Sequence, residues 1–225
     1  MAVKGVNVGC GLAVCELPGW ENMDNSPNAR LAKYPRIRRL LALAHLLPVE
    51  TAAVPWPKNI RIHDATKSLP YPDQSLQYVY TSHFLEHQKL HQADRFLGEC
   101  YRVLAPGGIL RVVVPDLSLL CEEYIEATQS TVQSGELAAE WFLKRTHLLG
   151  DDAGGPRWFQ AIRTLWGRDR HFWMYDERSL GAGLERAGFT EVRRWSYGKS
   201  LIPEVASLDV AGRVSESLYM EGRRP

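Results

Sequence analysis

Apolar and polar positions alternate along this chain with two periods, one of strands and one of helices. Val3, Val6 and Val8 form a short apolar run that stops at Gly9-Cys10-Gly11, and a second extended segment ends in Trp20-Glu21-Asn22-Met23-Asp24. Asn25-Ser26-Pro27-Asn28 is turn chemistry. Residues 40–47 read as a short apolar helix halted by Pro48, and 54–57 as loop. Ile60–His63 alternates as a third strand closed by Asp64, and 69–75 is turn-rich. Leu76–Tyr80 is a fourth strand that leads into Thr81-Ser82-His83-Phe84-Leu85-Glu86-His87. A helical stripe of Leu90, Ala93, Phe96, Leu97, Cys100 and Leu104 predicts a helix over 89–103, stopped by Ala105-Pro106-Gly107-Gly108. Ile109–Val114 reads as a buried strand. Helices are expected at 117–128, 136–149 and 177–187, the last capped by Gly188, and the final strands at 190–195 and 217–220. Strand alternating with helix predicts an α/β fold with a mostly parallel sheet and an antiparallel final strand.

Two features depart from simple alternation. Only nine residues lie from Leu12 to Trp20, too few for a full crossover helix. Residues 150–176 begin as a loop and become rich in Trp158, Phe159, Trp166, Phe172, Trp173 and Tyr175, which predicts an aromatic cap within 129–176 over the substrate side.

Length and charge narrow the picture. The 225 residues suit a single domain spanning 1–225, and 45% hydrophobic residues suffice for a core. A formal net charge of +1 gives no field for nucleic acid or an anionic membrane. No run approaches 18 apolar residues and no leader pattern opens the chain, so a cytoplasmic protein without membrane insertion is expected. Its four cysteines show no C-x-x-C spacing.

Candidate chemistry lies at the strand ends. In an open α/β sheet, ligands sit outside the carboxyl ends of the strands, where glycine turns admit a ligand to the backbone. Gly9-x-Gly11 followed by Asp24 is the pattern of a nucleoside site, the acid accepting from a ribose diol. A dinucleotide fingerprint needs a third glycine, where this chain has Val14, and an acid about 20 residues on. A single nucleoside without phosphates fits better, which points to S-adenosylmethionine. A nucleotide-dependent reductase is the disfavoured alternative.

Taken in order, these segments resemble class I S-adenosylmethionine-dependent methyltransferases, in particular a small bacterial type 11-like group. The matching residues are Asn7-Val8-Gly9-Cys10-Gly11, Gly19–Asp24, Asp64 with 69–73, Ser82–His87, Glu99–Gly108, Val114-Pro115-Asp116, His171–Asp176 and Glu216–Glu221. The resemblance implies a seven-stranded Rossmann-like sheet of order 3-2-1-4-5-7-6. It implies S-adenosyl-L-methionine as cofactor, S-adenosyl-L-homocysteine as product, and a small polar acceptor, foremost a sugar oxygen, with nitrogen or carboxylate acceptors as alternatives. A binding module without turnover is the reading outside the enzyme class.

Roles carried across from the family are these. Val8, Gly9, Cys10 and Gly11 would border the amino-acid end of the cofactor. Asp24 and Asn25 would meet the ribose, Asp64 and Ala65 the adenine, and Ser82 and His83 the methionine and methyl group. His83 is the leading base, since imidazole titrates near neutrality; the alternative is a histidine that only shapes the pocket. His87 and His171 are further catalytic candidates. His83-x-x-Glu86-His87 also spells an inverted zinc-peptidase signature. That motif needs both histidines on one helix, whereas His83 directly follows a strand, so no metal is expected. Residues 213–225 are open to two readings, a last strand or a homodimer contact.

Overall fold

The structure, a computed structural model, describes residues 2–44, 46–47, 52–129, 137–147 and 171–225. Its sheet has seven strands: β1 (Gly5–Val8), β2 (Trp20–Asp24), β3 (Ile60–Ile62), β4 (Leu76–Ser82), β5 (Leu104–Pro115), β6 (Thr190–Trp195) and β7 (Ser217–Arg223). They lie in the order β3-β2-β1-β4-β5-β7-β6, as the resemblance implied. Pairing is parallel from β3 through β5, and β7 runs antiparallel to both β5 and β6. Chain order reverses at β1 and β4, which pair Val8 with Thr81. The carboxyl ends of β1 to β5 therefore line one edge, the usual ligand edge of such a sheet.

Six helices accompany the sheet among the described residues: α1 (Pro27–Ala32), α2 (Pro35–Leu43), α3 (Leu90–Val103), α4 (Leu117–Gln129), α5 (Ala138–Arg145) and α6 (Glu177–Arg186). None is long and apolar enough to cross a membrane. Period-two alternation divides the core. Val6, Val8, Val79, Leu110, Val112, Val114, Leu218 and Met220 face α3 and α6, where Phe96, Leu97, Leu180 and Leu184 fill the layer. Tyr80, Ile109, Val113 and Tyr219 face the other way, onto Cys15, Ile202, Val205 and Leu208. That second face is covered by irregular chain. Arg111 sits among these residues with its side chain 0% exposed.

Residues 9–19 hold no helix, in keeping with their short length. Side-chain amides take over the backbone hydrogen bonding that a helix would supply. Asn22 Oδ1 accepts from Cys15 N at 2.6 Å, Asn22 Nδ2 donates to Cys15 O at 2.9 Å, and Asn7 Nδ2 donates to Ala13 O at 2.8 Å.

Several boundaries differ from expectation. The helix expected over 40–47 is α2, which starts earlier because Pro35 suits a first helical turn. It is a surface helix, with Leu40 65% and Leu43 69% exposed. Ala105-Pro106-Gly107-Gly108 does not separate helix from strand; β5 begins at Leu104 and the irregularity is absorbed as a register shift against β4. The aromatic cap is not formed by the described part of 129–176, since Phe172 and Trp173 are 49% and 43% exposed. Trp158, Phe159 and Trp166 lie outside the described residues.

Candidate functional site

The loop after β1 turns on two left-handed glycines, Gly9 at φ 69° and Gly11 at φ 52°. They serve different ends. A Cβ on Gly9 would come within 2.8 Å of the Phe84 ring, whereas one on Gly11 would meet nothing within 4 Å. Gly9 thus lets the loop close onto the end of β4, and Gly11 leaves its backbone open to a ligand. Gly9 N and Cys10 N both donate to Met23 O, at 2.8 and 3.1 Å, tying the loop to β2. Val8 is buried at the strand end. Burial, reinforced by the Asp24 carboxylate, pushes the Cys10 thiol up to about 12, so it stays protonated near neutrality.

Asp24 ends β2, and its carboxylate braces the same loop. Oδ2 accepts from Gly11 N at 2.9 Å and Oδ1 from Ser26 N at 2.6 Å. A carboxylate offers about four acceptor positions, so two remain for a diol. Asn25 Oδ1 accepts from Arg30 Nε at 2.9 Å. One strand over, Ile62 pairs with Asp24 in register, which sets Asp64 and buried Ala65 just past the same edge. Asp64 Oδ1 accepts from Thr66 N at 3.1 Å and Thr66 Oγ1 at 2.7 Å, fixing the turn. Residues 8–11, 24–25, 64–65 and 82–83 are thus brought to one edge of the sheet. One backbone-open glycine, a partly engaged acid and a buried alanine fit a nucleoside bearing an amino-acid tail.

His83 follows β4 with φ 50°, in the left-handed region that few residues other than glycine occupy. Its N–H donates to Val113 O at 2.9 Å, and its Nε2 lies 3.0 Å from Ser217 Oγ at the start of β7. The ring borders a cavity of about 230 Å³ beyond the sheet edge. That cavity gathers His83, His87, His147 and His171 with Glu86 and Glu216. Arg145 also borders it, paired with Glu216 at 2.7 Å.

The residues after His83 form a 3₁₀ turn, Leu85–His87, before α3. Glu86 is 0% exposed, its Oε1 3.4 Å from His83 Nδ1 and 3.9 Å from His87 Nε2. Neither carboxylate oxygen has a hydrogen-bond partner among the described residues. Its backbone oxygen accepts from Phe172 N at 2.8 Å, which brings the downstream segment onto the turn. His171 stands with its ring centroid 4.9 Å from that of His87 and 5.0 Å from that of His147. Its Nδ1 is buried and unpartnered, and desolvation drives its pKa down to about 4.

The three catalytic candidates, His83, His87 and His171, therefore share one cavity. Ser217, Glu86 as a buried acid, and His147 carried no such signal in the sequence. Ser217 lies 134 positions from His83, and only the antiparallel return of β7 joins them. The HxxEH string was legible, but its acid is buried by a turn rather than displayed on a helix.

The methyltransferase-domain family model matches residues 36–112. A search of curated protein sequences found no match. Among solved structures, an S-adenosylmethionine-dependent methyltransferase from Archaeoglobus fulgidus is 15% identical with a TM-score of 0.50, covering 99% of this chain and 86% of that one. A possible histamine N-methyltransferase from Thermotoga maritima is 14% identical with a TM-score of 0.49, covering 99% and 82%. The methyltransferase SibL is 20% identical with a TM-score of 0.46; all of this chain is covered, but only 51% of SibL. Strand order and the match over residues 36–112 together support a class I S-adenosylmethionine-dependent methyltransferase, with S-adenosylmethionine as cofactor.

Proposed function

We propose that the protein methylates an oxygen of a small polar acceptor, a sugar or sugar-containing metabolite, held in the histidine-lined cavity. One observation carries this reading. Phe84 packs against Gly9 of the cofactor loop, while its neighbour His83 borders the cavity, so loop and cavity meet at the end of β4. Bound S-adenosylmethionine supplies a methyl group already activated by the sulfonium charge. The chain's task is then to align an acceptor with that methyl and to receive a proton. In this reading Gly9, Gly11 and Asp24 hold the amino-acid and ribose portions, and Asp64 with Ala65 the adenine. His83, steadied by Ser217, would take the acceptor hydroxyl's proton as that oxygen bonds the methyl carbon and the sulfur–methyl bond breaks, the cofactor leaving as the neutral thioether S-adenosylhomocysteine. A hydroxyl acceptor is favoured because the cavity offers imidazole bases and carboxylates but no aromatic cage for a cation among its described residues.

The test is calorimetric titration with S-adenosylhomocysteine and with NADH, followed by methyl-group transfer from labelled cofactor to a panel of sugars, amines and carboxylic acids. Homocysteine-nucleoside binding together with labelling of hydroxyl acceptors supports the reading. Labelling of amines or carboxylates alone would move the acceptor class, and NADH binding without the nucleoside would overturn the enzyme class.

A further inference from the structure

The cavity's side chains point to a second ligand. Glu86 is a carboxylate removed from water with both oxygens lacking a hydrogen-bond donor among the described residues. Leaving an anion so placed costs several kcal/mol unless a positive charge compensates it. Two arginines border the cavity, Arg145 and Arg213; Arg145 is engaged by Glu216 at 2.7 Å, and neither donates a hydrogen bond to Glu86. His171, also buried, turns an unpartnered Nδ1 in the same neighbourhood. Ligand atoms of Glu86, His87 and His171 all lie within 4.8 Å of one another.

We infer that Glu86, His87 and His171 form a binding site for one divalent first-row transition metal ion, of which zinc is the natural occupant. Two imidazoles and one carboxylate are a ligand set for an open catalytic site, in which a further position is left for an exchangeable oxygen. Magnesium or calcium would call for a shell of oxygens instead. Ligands at about 2.0–2.2 Å from zinc stand roughly 3.3 Å apart in tetrahedral geometry. Closing onto the ion thus asks for side-chain movements of about 1 Å. The helix that the peptidase motif requires is not needed here. The 3₁₀ turn supplies Glu86 and His87, and the backbone contact from Phe172 to Glu86 delivers His171. The site stands on these side chains alone. The role assigned to it, holding an oxygen of the methyl acceptor beside His83, rests on the methyltransferase reading.

The test uses the whole chain, stripped with chelator and then titrated with Zn2+ by calorimetry and with Co2+ by visible absorption. S-adenosylhomocysteine is titrated into the same samples. The expected result is one ion per chain and a Co2+ spectrum of low coordination number. Glu86→Gln and His171→Asn should each weaken Zn2+ at least tenfold, while His91→Ala, on the exposed start of α3, should leave it unchanged. Circular dichroism melts identify any variant that fails to fold, and His171→Asn then stands in for Glu86→Gln. Absence of stoichiometric Zn2+ binding, or binding that persists in folded His171→Asn, overturns the metal site. Zn2+ binding without S-adenosylhomocysteine binding overturns the methyltransferase role and leaves the metal site standing.

Discussion

His83 Nε2 and Ser217 Oγ, 3.0 Å apart, join the end of β4 to the start of the one strand that runs antiparallel to its neighbours. His83 occupies a left-handed conformation that its own side chain does not favour, so the surrounding contacts hold it there. A hydroxyl at one ring nitrogen sets the plane of the imidazole. Ser217→Ala should therefore lower kcat about fivefold to tenfold, the worth of one neutral hydrogen bond, while S-adenosylhomocysteine affinity and KM stay near wild type. An unchanged kcat would make Ser217 a packing residue. His83→Asn, which tolerates the same backbone, should abolish most turnover and keep the fold.

In the proposed reading Asp24 links cofactor recognition to loop order, because its carboxylate already receives the Gly11 and Ser26 N–H groups. Asp24→Ala removes these acceptors and the ribose contacts proposed above. Affinity for S-adenosylhomocysteine should fall roughly 10- to 100-fold, as expected for hydrogen bonds to a charged acceptor. The variant should also lose about 1–2 kcal/mol in urea denaturation without ligand. Full stability with lost binding would show that the loop stands without the acid, contrary to the geometry.

Gly9 and Gly11 make a paired test of backbone strain against packing. Gly11→Ala meets only the left-handed penalty, about 1–2 kcal/mol, since its Cβ would enter open space. Gly9→Ala has the same penalty and also drives a methyl to 2.8 Å from the Phe84 ring, which is held edge-on to Phe96 with centroids 5.1 Å apart. The loss in Gly9→Ala should be roughly double, about 3 kcal/mol. For cofactor binding the order should invert, because the open space over Gly11 is where the ligand would lie. Equal stability losses would sink the packing argument.

Much of this architecture was legible in the chain, and the gaps have physical causes. Alternation in 5–8, 76–80 and 109–114 located the central strands, since each presents one face to helices and the other to covered loop. Strand order came through the resemblance, because pairing across β1 and β4 leaves no local trace. A lone arginine inside Leu110-Arg111-Val112 was the overlooked signal. It is locked by Asp209, at 3.0 and 2.6 Å, and by Glu221 at 2.8 Å, partners about a hundred positions away. The candidate histidines were legible as a string. The buried, donor-poor state of Glu86 was not, because it depends on the 3₁₀ turn and on Phe172 folding back over it.

That triad predicts its own consequence. Arg111→Met would leave Asp209 and Glu221 as buried carboxylates without their cation, and Tyr80, whose hydroxyl lies 3.1 Å from Leu208 O and 3.3 Å from Asp209 Oδ1, can offer a hydrogen bond but no charge in its place. Removing one partner of a buried ion pair costs about 3–5 kcal/mol. Denaturation should show a loss of that size. A loss below about 1 kcal/mol would mean that the acids take up protons without penalty.

Some residues that carry the family resemblance belong to a structural clamp at the opposite end of β4, and the clamp has a pH signature. Glu99 accepts from Arg102 Nε at 3.0 Å, from Arg102 Nη2 at 2.8 Å and from Leu69 N at 2.7 Å. Arg102 in turn donates to Tyr71 O, Leu69 O and Asp73, at 3.0, 3.0 and 2.7 Å, and so fastens α3 to the turn before β4. The arginine holds the Glu99 carboxyl well below its ordinary 4.5, at about 2. A carboxyl depressed on folding contributes stability that is complete above the unfolded value and fades as pH falls toward the folded one. Wild type should therefore lose stability between about pH 4.5 and pH 2 more steeply than Glu99→Gln. At pH 7 the variant should be less stable by on the order of 2–3 kcal/mol, and the two curves should converge near the acid end of that window. Parallel curves from pH 7 to pH 2 would mean that the clamp acts through packing alone and that its charge carries none of the stability.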